Sequence, residues 1–244
     1  MKKHIPNAIT CCNLISGCIA ILFALQAQFE LALLMIIVGA VFDFFDGMTA
    51  RLLHVSSPIG KELDSLADVV TFGVAPSMML YKMHALFCER LIVIPEDGFE
   101  RDLGNIIIEY APYLAFLIAA FSALRLAKFN LDERQAMGFI GLPTPANALM
   151  WGSFIAYCPQ FLLEDTGFSF ILTVATLISC FLLVSEIPMF ALKFKTWGWK
   201  GNEVKFIFLI TCLPLLFFFR GLGIAFVILW YMILSVITYL LHRK

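Results

Sequence analysis

Charged side chains are what this sequence has least of. Asp, Glu, Lys and Arg make up 14% of its 244 residues, where a soluble domain carries about 25%. So few cannot clothe a water-soluble globule, and 25 Phe beside 15 Gly and 10 Pro exclude a disordered or fibrous chain as well. Neither sign of charge dominates. With 17 basic and 18 acidic residues the formal net charge is −1, so the basic face that nucleic acid requires is missing. The seven cysteines form no Cys-x-x-Cys pair and no Cys/His set at zinc spacing. Six of them fall in apolar runs, where a free thiol behaves as a small hydrophobe. His4, His54, His84 and His242 are scattered, with no partner at ligand spacing.

What is abundant is apolar: 61% hydrophobic residues and a mean hydropathy of +0.91. A helix needs about 20 apolar residues to cross the hydrocarbon layer. Runs near 8–26, 30–50, 63–87, 106–127, 144–163, 167–191, 204–219 and 222–241 approach or meet that length. They predict an all-α, polytopic transmembrane helical bundle of eight spans, forming one domain over 1–244 with generic last spans (204–241). Seven is the alternative count, because Pro214 interrupts the seventh run and Arg220 cuts it short. The basic start, MKKHIPNAIT, has the look of a signal sequence. Asn13, Gly17 and the lack of a small-residue cleavage site favour a retained first helix instead.

The distribution of cations sets an expected orientation. With an even number of spans, thirteen of the 17 Lys and Arg fall on one side, leaving Lys82, Arg90, Arg101 and Arg220 on the other. Both termini are therefore expected to be cytoplasmic. Trp197 and Trp199, among Lys193, Lys195 and Lys200, read as interfacial anchors, and the acidic stretch 88–105 as a solvated loop.

The acids are unusual in placement. Asp43 and Asp46 stand in the second run (VFDFFDGMTARLL), Asp64 and Asp68 at the start of the third (GKELDSLADVVTF). Spacings of three and four put each pair on one helix face, and a short loop between antiparallel helices brings the four carboxylates together. An ionised Asp near the membrane centre costs about 2.5–3.5 kcal/mol, and converging like charges add repulsion. Bound cations relieve both, and all-oxygen ligands suit Mg²⁺ or Mn²⁺. Capping or pairing with Arg51 and Lys61 is the plain alternative, and an ion path through the membrane is another. Small residues at Gly47 and Ala50 admit a flat ligand, and Arg51 offers a planar fork for phosphate. Two cations beside such a site suit a diphosphate held for displacement.

The order D-x-x-D-G-x-x-A-R, eight residues, then G-x-x-x-D-x-x-x-D is met at Asp43, Asp46, Gly47, Ala50, Arg51, Gly60, Asp64 and Asp68. It resembles the signature of the CDP-alcohol phosphotransferase family. Further stretches resemble its phosphatidylserine synthase branch: IPNAITCCNLISG, ALRLAKFN (123–130), FIGLPTPANA (139–148) and SEIPMFALK (185–193). Lys128 stands where that branch often has Arg, which keeps the charge and loses the bidentate fork. The resemblance implies transfer of the phosphatidyl group of CDP-diacylglycerol to the hydroxyl of L-serine, giving phosphatidylserine and CMP. It implies that Asp43, Asp46, Asp64 and Asp68 hold two divalent cations, with Asp68 also the general base. Asn7, Asp46, Gly47, Ala50, Arg51, Ser57 and Gly60 are expected to bind CDP-diacylglycerol. It further implies a homodimer in a bacterial inner membrane, with its site facing the cytoplasm.

Arg125, Lys128 and Asn130 are expected to meet the serine carboxylate or a lipid phosphate, or else simply to anchor the cytoplasmic end of the fourth span. Gly141, Pro143 and Pro145 suit a re-entrant turn into the fifth. Glu186 reads more readily as a helix cap than as a partner for an ammonium group. Another acceptor, such as glycerol 3-phosphate or an inositol phosphate, would bring a phosphate and call for a denser cationic cluster than Arg125, Lys128 and Arg134. A metal transporter would need polar residues along several spans, and the fifth, sixth and eighth carry almost none before Glu186.

Overall fold

The computed structural model describes residues 4–55, 57–91, 109–132, 139–159, 166–190, 198–199 and 202–242. Arg134, Lys193, Lys195, Trp197 and Lys200, with most of the acidic stretch 88–105, lie outside them.

Helix α1 (His4–Leu25) turns at Gln26–Gln28, with Ala27 at φ 57°, into α2 (Phe29–Leu52). The buried face of α1 is small or polar throughout: Thr10, Asn13, Ser16, Gly17, Ala20 and Ala24 recur every three or four residues. Between membrane helices lipid supplies no hydrophobic drive, so small residues that allow close approach and polar groups that bond across the contact do the work.

Helix α3 (Pro58–Asp68) begins where Ser57 Oγ accepts from Gly60 N at 3.0 Å, with Pro58 in the first turn, a local S-P start signal. It runs through a π-helical turn, Val69–Val74, directly into α4 (Ala75–Leu91). The wide turn follows Asp68 and carries Thr71 between the first two helices, where its Oγ1 donates to the Asn13 carbonyl at 3.0 Å. A Cβ on Gly17 would stand 2.8 Å from Thr71 Cα, and one on Gly39 would stand 2.9 Å from Asn13 Oδ1. Gly17→Ala is therefore expected to destabilise the protein by about 1–3 kcal/mol, the usual range for overpacking. A Cβ at Gly47 meets only Arg51 Nη1, at 3.6 Å, so Gly47→Ala should leave thermal unfolding unchanged or slightly raised. Thermal unfolding in detergent compares the two, and equal midpoints would contradict the tight crossing.

A 3₁₀ turn (Ala111–Ala115) leads into α5 (Phe116–Leu131). A two-residue strand β1 (Phe139–Ile140) pairs antiparallel with β2 (Pro188–Met189). Between them lie α6 (Thr144–Ala156) and α7 (Thr166–Val184). Gly141, at φ 75°, makes the turn into α6, and a Cβ there would meet the Leu183 and Ser185 carbonyls at 2.8 and 2.9 Å. Helix α8 (Glu203–Phe219) passes through Pro214 and breaks at Arg220, φ 48°, before α9 (Gly223–His242).

The expected all-α bundle is what forms, and each of the eight apolar runs holds a helix. Six stretches are long and apolar enough to cross a membrane: His4–Leu25, Phe29–Leu52, Pro58–Cys88, Ala111–Leu131, Gly167–Val184 and Glu203–Leu241. Dividing the last at Arg220 gives seven. The fifth predicted span is corrected, because α6 has 13 residues, and at about 1.5 Å per residue that spans only two thirds of the hydrocarbon layer. Tyr157 leaves helical geometry two residues before Pro159, and a proline disfavours helix in the residue before it. The sixth span also ends early, at Val184, where the chain enters β2. The fourth runs four residues past its predicted end, to Leu131, which places Lys128 and Asn130 inside the helix.

The apolar core is built around Ile36, Phe72, Met79, Phe87, Ile118 and Trp151. One polar chain crosses it: Trp151 Nε1 donates to Ser179 Oγ at 3.0 Å, and that hydroxyl donates to Asn147 Oδ1 at 2.6 Å. Phe217 and Phe218, 78% and 75% exposed, face outward as an apolar surface suited to lipid.

Candidate active site

The C-terminal half of α2 and the whole of α3 carry the signature, and both helices pack against α1. Asp43 lies one turn before Asp46 on α2, and Asp64 one turn before Asp68 on α3. The structure brings three of these carboxylates together: Asp43, Asp64 and Asp68 each present an oxygen within 4.8 Å of the others. Asp46 stands beside the trio but is bonded elsewhere, accepting from Thr10 Oγ1 at 2.6 Å. Asp68 is buried, and one of its oxygens accepts from Asn13 Nδ2 at 3.1 Å.

The donor set fits a divalent cation. It offers carboxylate oxygens alone, which hard cations such as Mg²⁺ and Mn²⁺ prefer. Asp64 Oδ1 is buried with no hydrogen-bond partner, and an unsatisfied buried acceptor is costly. Three like charges at this separation would repel by the order of 3 kcal/mol per pair at an effective dielectric constant of 20, and a cation among them would relieve that.

A cavity of about 730 Å³ adjoins the trio. Asn7, Asp46, Gly47, Ala50, Arg51, Ser57 and Gly60, the residues expected to bind the nucleotide-linked lipid, all line it. Gly60 is where they converge, since a Cβ there would stand 2.9 Å from Ser57 Oγ and 3.1 Å from Asn7 Oδ1. Arg51 is exposed at the C-terminal end of α2, with its fork folded toward Gly47. Ser57 serves twice, as the cap of α3 and as cavity wall. Thr10, His54, Lys61 and Asp64 line the cavity too.

Thr10 and Asn13, which orient Asp46 and Asp68, were not assigned to the site from the sequence, where Asn13 counted only toward a retained first helix. Their signal is the three-residue spacing of Asn7, Thr10, Asn13 and Ser16 in an otherwise apolar run. The cations of the fourth span divide. Arg125 and Lys128 line a second cavity, of about 50 Å³, with Asp132, Ser185 and Glu186. Asn130 is turned away from that cavity, its Nδ2 donating to Ser65 Oγ at 2.7 Å and its carbonyl accepting from Lys61 Nζ at 3.0 Å.

Residues 3–185 match the CDP-alcohol phosphatidyltransferase family, whose members use divalent cations. Among curated relatives, the CDP-diacylglycerol–serine O-phosphatidyltransferase of Bacillus subtilis (strain 168) is 39% identical over 143 residues, 59% of this chain and 70% of that one. The protein of the same name from Methanocaldococcus jannaschii is 36% identical over 161 residues, 66% of this chain and 65% of that one. That of Mycobacterium leprae (strain TN) is 31% identical over 192 residues, 76% of this chain and 57% of that one. The latter two are thus matched over less than two thirds of their own length. With the signature folded into one carboxylate-lined site and the match running through its first seven helices, this chain belongs to the CDP-alcohol phosphatidyltransferase family.

Proposed function

We propose that this protein is a CDP-diacylglycerol–serine O-phosphatidyltransferase, transferring the phosphatidyl group of CDP-diacylglycerol to L-serine with release of CMP. One observation carries the reading: Asp64 belongs both to the carboxylate trio and to the wall of the large cavity. A diphosphate seated there lies against the groups that would hold the cations. The relatives' names supply the acceptor.

In this reading Asp43, Asp46, Asp64 and Asp68 hold two divalent cations, Mg²⁺ or Mn²⁺, as sites on this chain's own residues. When bound, such ions neutralise the diphosphate and stabilise the departing phosphate. Arg51 and Ser57 contact phosphate, while Gly47, Ala50 and Gly60 let the flat base approach and Asn7 closes over it. Asp68 takes the proton of the serine hydroxyl as its oxygen attacks the lipid-linked phosphorus, and the bond from phosphorus to the CMP oxygen breaks. An alcohol is too weak an acid to react at neutral pH without a base poised in the transition state. Asn13 holds one oxygen of Asp68, which fixes the direction of the other. The same reading places the site on the cytoplasmic face of a bacterial inner membrane, in a homodimer.

The test is CMP release by the purified full-length protein with CDP-diacylglycerol, Mg²⁺ or Mn²⁺ and labelled candidate alcohols. Release is expected with L-serine. Release with glycerol 3-phosphate or an inositol phosphate, and none with serine, would replace the acceptor and leave the family intact.

A further inference from the structure

The residue after Asp68 opens the π-helical turn, Val69–Val74, which closes with the Ala75 amide donating to the Val70 carbonyl, five residues back. Such a turn holds one residue more than an α-helical one and is frequent at functional sites. Here it delivers Thr71, fully buried, to the crossing of α1 and α2. Both ends of that side chain are held. A Cβ on Gly17 of α1 would stand 2.5 Å from its Oγ1, and one on Gly39 of α2 would stand 2.5 Å from its Cγ2. The hydroxyl donates to the Asn13 carbonyl at 3.0 Å. Within a continuous helix that carbonyl already accepts from the amide four residues on, so α1 does not need the bond.

Asn13 is fully buried as well, and its amide reaches Asp68. An ionised carboxylate only accepts. Nδ2 therefore turns to Asp68, and Oδ1 is left toward Gly39, where a Cβ would stand 2.9 Å away. That oxygen has no hydrogen-bond partner among the described residues. A buried acceptor left unpaired costs stability, so stability alone does not explain an asparagine here. What the asparagine supplies is a donor to one oxygen of Asp68.

These contacts close a ring. Three residues of chain lead from Asp68 to Thr71, one hydrogen bond leads on to Asn13, and a second returns to Asp68. The backbone of Asn13 is fixed against Thr71, so its side chain meets Asp68 from one direction.

We propose that Thr71 is a positioning residue for phosphatidyl transfer: carried on the π turn, it acts through Asn13 to hold one oxygen of Asp68 and leave the other for the acceptor hydroxyl. The proposal rests on the reading of Asp68 as base and adds the device that aims it. Its test compares two variants of the full-length protein in detergent, well below their unfolding midpoints. Thr71→Ser and Thr71→Ala both lose the methyl beside Gly39, and only the first keeps the hydroxyl. Thr71→Ala is expected to lower kcat about ten- to hundredfold, the scale on which a small misplacement slows a reaction, and Thr71→Ser no more than about threefold. The KM values for CDP-diacylglycerol and L-serine should stay within about twofold in both. Combined with Asp68→Asn, Thr71→Ala should lower the residual CMP release no further, because the carboxylate it acts through is gone.

Equal losses in the two variants would overturn the proposal, by tracing the effect to the missing methyl. An undiminished kcat in Thr71→Ala would overturn it too, as would a further large loss in the double variant, which would be damage independent of Asp68. Should Thr71→Ala not fold, Thr71→Val keeps the volume, lacks the hydroxyl and carries the same comparison with Thr71→Ser. Near-normal turnover in Asp68→Asn is a different result, which ends the base reading. CMP release by the unmodified protein with another alcohol and not with serine ends only the acceptor reading.

Discussion

Asp68→Asn is expected to lower CMP release by about 10²–10⁴-fold, the usual contribution of a positioned general base, while the protein folds normally. The substitution is chosen for what it preserves. The amide it introduces would still offer an oxygen to Asn13 Nδ2, so the contact at 3.1 Å between α1 and the end of α3 survives. The side chain keeps its volume at a site that is 8% exposed, and no cavity opens. What disappears is the ability to accept the proton of the attacking hydroxyl, together with one negative charge beside Asp43 and Asp64. The two losses are separable. Metal binding, read as the rise in thermal stability on adding Mn²⁺, should persist through the remaining three acids, whereas turnover should not recover at saturating metal. Near-normal turnover would remove Asp68 from the role of base, and recovery at high metal would make it a ligand only.

The site was legible because its chemistry is costly in this setting. Acids inside apolar runs stand out, and spacings of three and four tell which face they share before any fold is known. Asp43, Asp64 and Asp68 meet as that spacing implied. The supporting polar groups were less visible. Thr10 and Asn13 are single, uncharged residues in a membrane run, where such residues are commonly helix–helix contacts, and only the tertiary pairing of α1 with α2 and α3 shows which acids they orient. The π turn at Val69–Val74 was not legible at all. Its reason is Thr71 seated between Gly17 and Gly39, a contact among three helices that leaves no periodic trace in any of them. Hydropathy likewise overran α6, since it counts Tyr157 and Cys158 as membrane residues and does not register that Pro159 ends the helix.

Removing divalent cations with a chelator is expected to abolish turnover, and Asp43→Asn to lower it by at least about a hundredfold, but the more telling result is a crossover in stability. In the metal-free wild type, burial and mutual repulsion act against Asp43, Asp64 and Asp68, and the Asn13 hydrogen bond to Asp68 offsets only part of this. Neutralising one of the three should therefore raise the unfolding temperature of the chelated protein. With cation at about a hundred times its dissociation constant, the wild type gains about 2.7 kcal/mol from binding, and the variant, missing a ligand, gains far less. The order of stability then reverses: Asp43→Asn above wild type in chelator, below it in Mn²⁺ or Mg²⁺. A purely structural trio, held by hydrogen bonds within the protein, predicts the opposite, since Asp43→Asn would destabilise both forms equally and metal would move neither. Thermal unfolding of the two proteins with and without cation decides between them without reference to activity, and a variant whose metal response equals that of the wild type would end the case for Asp43 as a ligand. The reversal follows from placing acids where a bound cation relieves their burial and repulsion, so the same residues that cost the empty protein stability are those through which it would hold its metal.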